Sequence, residues 1–152
     1  MESLNKVDDI IRISKKMGIP REWVKSIVNS YITYVYNKVI NGETVSFLRI
    51  CDFRTKGYIG NKETLGFISN EVAKELGYSG LLVKSVLLYY EDIIASDIKR
   101  YRRHVINGLV KIGIEETYGN RLVITSSRSY TLKGVPNLVL SVRGSFKRKV
   151  GV

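Results

Sequence analysis

The sequence predicts an α+β protein in which one small unit, two helices then a β-sheet, occurs twice and packs against itself within the chain. Residues recur at a constant offset of 59: Lys15, Gly18, Val24, Lys25, Ser26 and Tyr31 are matched by Lys74, Gly77, Val83, Lys84, Ser85 and Tyr90. Apolar positions keep that offset, Ile13 with Val72, Met17 with Leu76, Ile27 with Val86 and Val28 with Leu87. Apolar periodicity also changes twice from helical to extended, near Thr44 and again after Gly108. A hydrophobic content of 44% over 152 residues suffices for one moderate core or two small ones fused together. The units divide at residues 1–60 and 61–152, and duplication directs attention to the surface they share.

In the first unit, Val7, Ile10, Ile11, Ile13 and Met17 give a short amphipathic helix that Gly18 ends. Pro20 suits the first turn of a second helix, whose stripe is Trp23, Val24, Ile27, Val28, Tyr31, Val35 and Val39, with Asn41-Gly42 closing it. Thr44 to Thr55 reads as strand with a bend near Leu48-Arg49, and Lys56 to Glu63 as linker. In the second unit Thr64 to Leu76 is a helix stopped by Gly77, and Ser79 is an N-cap for the next. That helix carries Leu82, Val83, Val86, Leu87, Tyr90, Ile93, Ile94, Ile98 and Val105 and is expected to run to Asn107-Gly108. This dipeptide echoes Asn41-Gly42 at an offset of 66, seven residues or about two helical turns longer. Beyond it, Val110, Ile112 and Ile114 alternate, Leu122 to Thr125, Ser129 to Leu132 and Leu138 to Val142 are strand-like, and residues 143–149 form a basic tail anchored by Phe146.

The formal net charge is +11, with ten Lys and Arg against six Asp and Glu in residues 1–60, and fifteen against eight in 61–152. From Thr117 to Val152 seven residues are basic (Arg121, Arg128, Lys133, Arg143, Lys147, Arg148, Lys149) and none is acidic. A surface of one sign favours a polyanion, and nucleic acid is the usual one; a solvated face that aids solubility is the alternative. Lys99, Arg100, Arg102 and Arg103, with Tyr101 and His104, make the densest basic cluster. They could contact phosphates along a DNA path, with Tyr101 stacking, or merely complement a helix dipole. Arg143 and Lys147 to Lys149 could grip DNA or an acidic neighbour, or fray into solvent.

Helix, glycine turn, longer helix and then Gly42-Glu43-Thr44-Val45 opening a strand pair resembles the HU/IHF family of bacterial DNA-bending proteins. Ile13-Ser14-Lys15-Lys16-Met17-Gly18-Ile19 is similar to that family's first-helix ending, and Gly42 through Phe53 to its strand signature. The resemblance covers residues 7–56 best, 64–117 through the repeat, and 118–152 by strand order and basic end. It implies that two copies in one chain form an intrachain pseudo-dimer, since the family's protomers dimerise to bury their helices. It also implies DNA bending by two basic β-ribbon arms whose proline tips wedge between base pairs. Here the first unit has no room for an arm, and in the second the nearest tip is Gly134-Val135-Pro136-Asn137, where Pro136 is either a wedge with Arg128 and Lys133 on phosphates or a plain turn former. The arm-poor, duplicated form resembles neck ring proteins of crAss-like phages, which sit between portal and tail. The expectation is therefore a non-enzymatic virion ring subunit near the genome path, a homo-oligomer that contacts other virion proteins and DNA. An architectural protein that binds phage or host DNA in the cytoplasm or nucleoid is the rival, and a regulator docking on a host HU-type protein a third.

No catalytic residue, cofactor, metal or small-molecule substrate is expected. His104 has no second His or Cys near it in sequence, and Asp8-Asp9, Glu91-Asp92 and Glu115-Glu116 read as surface charge because neighbours on a helix or strand diverge. Gly57-Tyr58-Ile59-Gly60 lacks the Lys and Ser/Thr of a phosphate loop. Cys51 stands alone, which excludes an internal disulfide and suits a reducing compartment. No apolar run is long enough to span a bilayer, and the N-terminal residues do not read as a signal peptide, so no membrane partner is expected. Tyr34 and Tyr36 are anchors for a partner if they face outward.

Overall fold

The computed structural model describes residues 2–106, 109–116, 119–126, 135 and 137–152. The chain is α+β. The first half contributes helices α1 (Glu2–Met17) and α2 (Arg21–Ile40) and strands β1 (Val45–Phe47) and β2 (Cys51–Thr55). Next come α3 (Leu65–Leu76), α4 (Gly80–Tyr101), β3 (Arg103–Ile106), β4 (Val110–Glu115) and β5 (Arg121–Ser126). The chain closes with β6 (Leu138–Val142) and α5 (Gly144–Val150). Two antiparallel sheets result, in the orders β1-β2-β6 and β3-β4-β5. A strand from the second half thus completes the sheet of the first, with Cys51 opposite Val142 and Thr55 opposite Leu138.

The offset seen in the sequence reappears in backbone and burial. Gly18 (φ 67°) and Gly77 (φ 74°) both end helices in the left-handed region, where lack of a Cβ removes the steric penalty. At the first, the N–H groups of Gly18 and Ile19 donate to the Ser14 carbonyl; 59 residues on, those of Gly77 and Tyr78 donate to the Ala73 carbonyl. All seven buried residues of α2 (Val24, Ile27, Val28, Tyr31, Ile32, Val35, Val39) have buried counterparts in α4: Val83, Val86, Leu87, Tyr90, Glu91, Ile94 and Ile98. The helices lie in one apolar core, α1 against α2 and α4, α3 against α4 and α2, and α2 against α4.

The strands correct one expectation. Rather than running to Asn107-Gly108, α4 stops at Tyr101, where Arg102 turns left-handed (φ 68°) and its N–H donates to the Ile98 carbonyl. Val105 therefore lies on a strand, and the hairpins coincide at the original offset. Phe47 pairs with Cys51 across one turn, Ile106 with Val110 across the other, both 59 residues later. The buried positions Val45, Phe47, Ile50, Cys51 and Phe53 map onto His104, Ile106, Leu109, Val110 and Ile112, all buried. Spacing alone misleads here because Ile98 and Val105, seven apart, suit one helix face, while His104 and Ile106 equally suit alternation.

Thr44 to Thr55 is likewise a hairpin rather than one bent strand. Leu48 has φ 51° and no exposure; its N–H donates to Tyr31 Oη at 2.6 Å, which stabilises an otherwise unfavourable backbone. Residues 144–150 are helix rather than tail, with Phe146 buried as the anchor. Ser79 does cap α4, its Oγ accepting from Leu82 N–H at 3.1 Å. Trp23 leaves the expected stripe: it is 42% exposed and leans on Tyr78, ring centroids 5.7 Å apart. Tyr34 and Tyr36 pack half-buried against the core. The strand-like stretch Ser129 to Leu132 lies outside the described residues.

Candidate nucleic-acid interface

The basic residues fall into two sets. Arg143 sits where β6 enters α5 and its guanidinium turns inward, donating from Nη2 to Ser46 Oγ at 2.8 Å and to Asp52 Oδ1 at 3.2 Å. Lys149 donates to Glu91 Oε2 at 3.0 Å and also reaches Asp92. Arg102 pairs with Glu116 and Arg121 with Glu115. These cations are partly neutralised within the chain. By contrast Lys99, Arg100, Arg103, Lys147 and Arg148 are exposed, and among the described residues none forms an ion pair. Arg100 lies over the exposed Tyr101 ring, 5.2 Å from its centroid. Arg128, Lys133 and Pro136 lie outside the described residues.

Two carboxylates read as surface charge are in fact buried: Asp9 at 3% exposure and Glu91 at 2%. Glu91, on α4, receives three hydrogen bonds from Arg49 in the β1–β2 turn: N–H at 2.9 Å and Nε at 3.1 Å to Oε1, Nη2 at 2.8 Å to Oε2. Burial pushes its pKa up, but Arg49 and Lys149 outweigh that and hold it below the usual carboxylate value. Asp9 and Asp97 flank His104. The imidazole Nδ1 lies 3.0 Å from Asp97 Oδ2; Nε2 lies 3.2 Å from Asp9 Oδ2, within ion-pair range though off the line of a hydrogen bond. Arg12 Nη1 donates to Asp97 Oδ1 at 3.0 Å.

Burial alone would depress the His104 pKa, yet the two carboxylates raise it to about 9, so the ring is charged at neutral pH. Burial raises the Asp9 pKa, whereas Asp97 is held low, its desolvation outweighed by His104 and Arg12. Asp9, Asp97 and His104 are close enough to share a metal ion. Chemically they form a better proton site, since both ring nitrogens already face carboxylates and the Arg12 guanidinium opposes a second cation. Two cations then balance two anions, tying α1 to α4 and β3. Cys51 is wholly buried and its thiol pKa is pushed far up by burial, consistent with packing rather than nucleophilic chemistry.

A groove missed at the sequence level opens beside β2. Its volume is about 570 Å³, and Arg54, Lys56, Lys62, Tyr58 and Thr55 line it. The available signal was compositional: residues 54–62 hold three cations and no carboxylate. Among the described residues no helix is long and apolar enough to cross a membrane. Comparison with protein-family models, curated proteins and solved structures finds no match.

Proposed function

We propose that the chain is a non-enzymatic, HU/IHF-like intrachain pseudo-dimer that serves as a ring subunit in a phage neck, near the genome path. The observation that carries this reading is the constant offset through helices and hairpins together, with reciprocal packing of α1 on α4 and α3 on α2. That reciprocity is what a local two-fold between sister units 1–60 and 61–152 produces. Only the short connection from Thr55 at the end of β2 to Leu65 at the start of α3 stands where a DNA-bending arm would extend, which supports a rigid structural role over two-sided kinking. Ionic clasps at Glu91 and His104 fasten residues 1–60 to residues 61–152 at two places, which favours a rigid wedge.

The exposed cations Lys99, Arg100, Arg103, Lys147 and Arg148 favour a second reading, an architectural DNA-binding protein acting on phage or host DNA. Native mass of the purified protein, with and without a duplex of about thirty base pairs at two salt concentrations, separates the two. A ring or higher oligomer with feeble duplex binding at physiological salt supports the neck reading. A monomer or dimer binding tightly, and losing affinity steeply with salt, supports the rival. A monomer indifferent to DNA refutes both.

A further inference from the structure

We infer that the groove beside β2 holds the phosphodiester backbone of duplex DNA, through Arg54, Lys56 and Lys62 with the hydroxyl of Tyr58. Cations and hydroxyls are the groups that contact phosphate, and no carboxylate lines the groove. Asp52, the carboxylate that pairs with the lining residues Arg54 and Lys62, is already engaged by Arg143 and by Lys62 (3.1 Å), with Arg54 Nη2 3.8 Å away. Three cations therefore share one carboxylate, and Lys56 adds a further positive charge to the groove lining. Lys56 is exposed and has no ion pair among the described residues.

The groove has an aromatic floor fixed by one glycine. A Cβ on Gly60 would meet Tyr58 Oη at 2.2 Å and Cζ at 2.4 Å, so the ring lies across position 60 only while that residue lacks a side chain. Small-molecule pockets enclose most of their ligand's surface. Here the Arg54 side chain is 63% exposed and the neighbouring Ile59 wholly so, which suits a polymer crossing an open channel. Three cations touch about three phosphates, giving binding that is weak at physiological salt and strengthens as salt falls. The groove gives the genome-side contact proposed above an address, and rests on that reading for the choice of duplex DNA.

The test is duplex binding by the full chain across a fourfold salt range, with native mass recorded for each variant. Three contacts alone predict about a forty-fold loss of affinity over that range. The double variant Arg54→Gln, Lys56→Gln should reduce the slope of log affinity against log salt by about two. A charge-matched control on the exposed helix faces, Lys74→Gln with Lys84→Gln, should leave the slope unchanged. Gly60→Ala, which displaces Tyr58 without altering charge, should weaken binding severalfold at an unchanged slope. The inference is overturned if the two double variants behave alike, or if pyrophosphate displaces duplex at equal phosphate concentration, which would mark a small-anion pocket. Native mass keeps the outcomes apart: a ring with groove-independent binding sinks the groove alone, and groove-dependent binding by a monomer sinks the ring.

Discussion

The buried ion cluster around His104 permits a test in which one half of the molecule is the design for the other. His104 and Asp9 occupy positions whose counterparts 59 residues away, Val45 and Ile68, are buried and apolar. His104→Val alone leaves Asp9, at a site 3% exposed, with only the Arg12 guanidinium at 3.7 Å, and breaking a buried pair this way costs about 3–5 kcal/mol. For a chain of this length that lowers Tm by roughly 10 °C or more. Adding Asp9→Ile removes the stranded charge and restores the apolar pairing of types found in the other half, while Asp97 keeps Arg12 at 3.0 Å. Replacing a buried pair by apolar groups is often neutral or stabilising, so the double variant should return to within about 1 kcal/mol of wild type. The pH arm has a definite sign. The His104 pKa rises from 6.5 to about 9, so its contribution is complete below 6.5 and is lost as pH climbs through 9. Over the full rise this amounts to about 3 kcal/mol. Urea denaturation at pH values from about 6 to 8.5, below the range in which the buried Cys51 thiol and tyrosines add their own dependence, should show wild type weakening while the double variant changes little. A double variant no more stable than His104→Val, or one sharing the wild-type pH dependence, would refute both the ionic assignment and the mapping of the halves.

Other interactions give narrower expectations. Tyr31→Phe removes the acceptor for the buried Leu48 N–H and should lower stability in urea by about 1–3 kcal/mol, an unchanged midpoint counting against the hydrogen bond. Glu91→Gln weakens the hold on Arg49 and Lys149. Because the Glu91 pKa is depressed from 4.5, the wild-type contribution is present above 4.5 and fades as pH falls through the lower folded value; the variant should be less stable at neutral pH and lose less on acidification.

What the sequence made legible was whatever depends on local order. The helix pairs, the glycine stops and the Ser79 cap follow from periodicity and terminus chemistry, and the helical offset is visible directly. The second hairpin is hard to place from sequence because Asn-Gly suits two local geometries, a helix end, as at Asn41-Gly42, and a turn between strands. Only the pairing of Ile106 with Val110, set across strands, decides between them. The buried carboxylates were illegible for a similar reason: adjacency on a helix says nothing about a partner such as Arg49, 42 residues from Glu91. The groove likewise exists only once β2, β6 and the 56–62 loop converge, with Lys56 N–H donating to the Asn137 carbonyl.

His104 connects these failures. It stands where the repeat would place an aliphatic side chain, so it hides the hairpin register from pattern matching, and it resembles a member of an exposed basic cluster because its neighbours are Arg102 and Arg103. A residue that departs from its counterpart, yet is as buried, needs a compensating change elsewhere. Here the change is Asp9 in place of Ile68's type, with Asp97 completing the imidazolium's second contact. On the duplication proposed above, departures from the 59-residue offset mark the places where the two halves differ in chemistry. That criterion ranks the α1–α4–β3 contact, rather than the apolar remainder of the shared core, as the one fixing which half faces which.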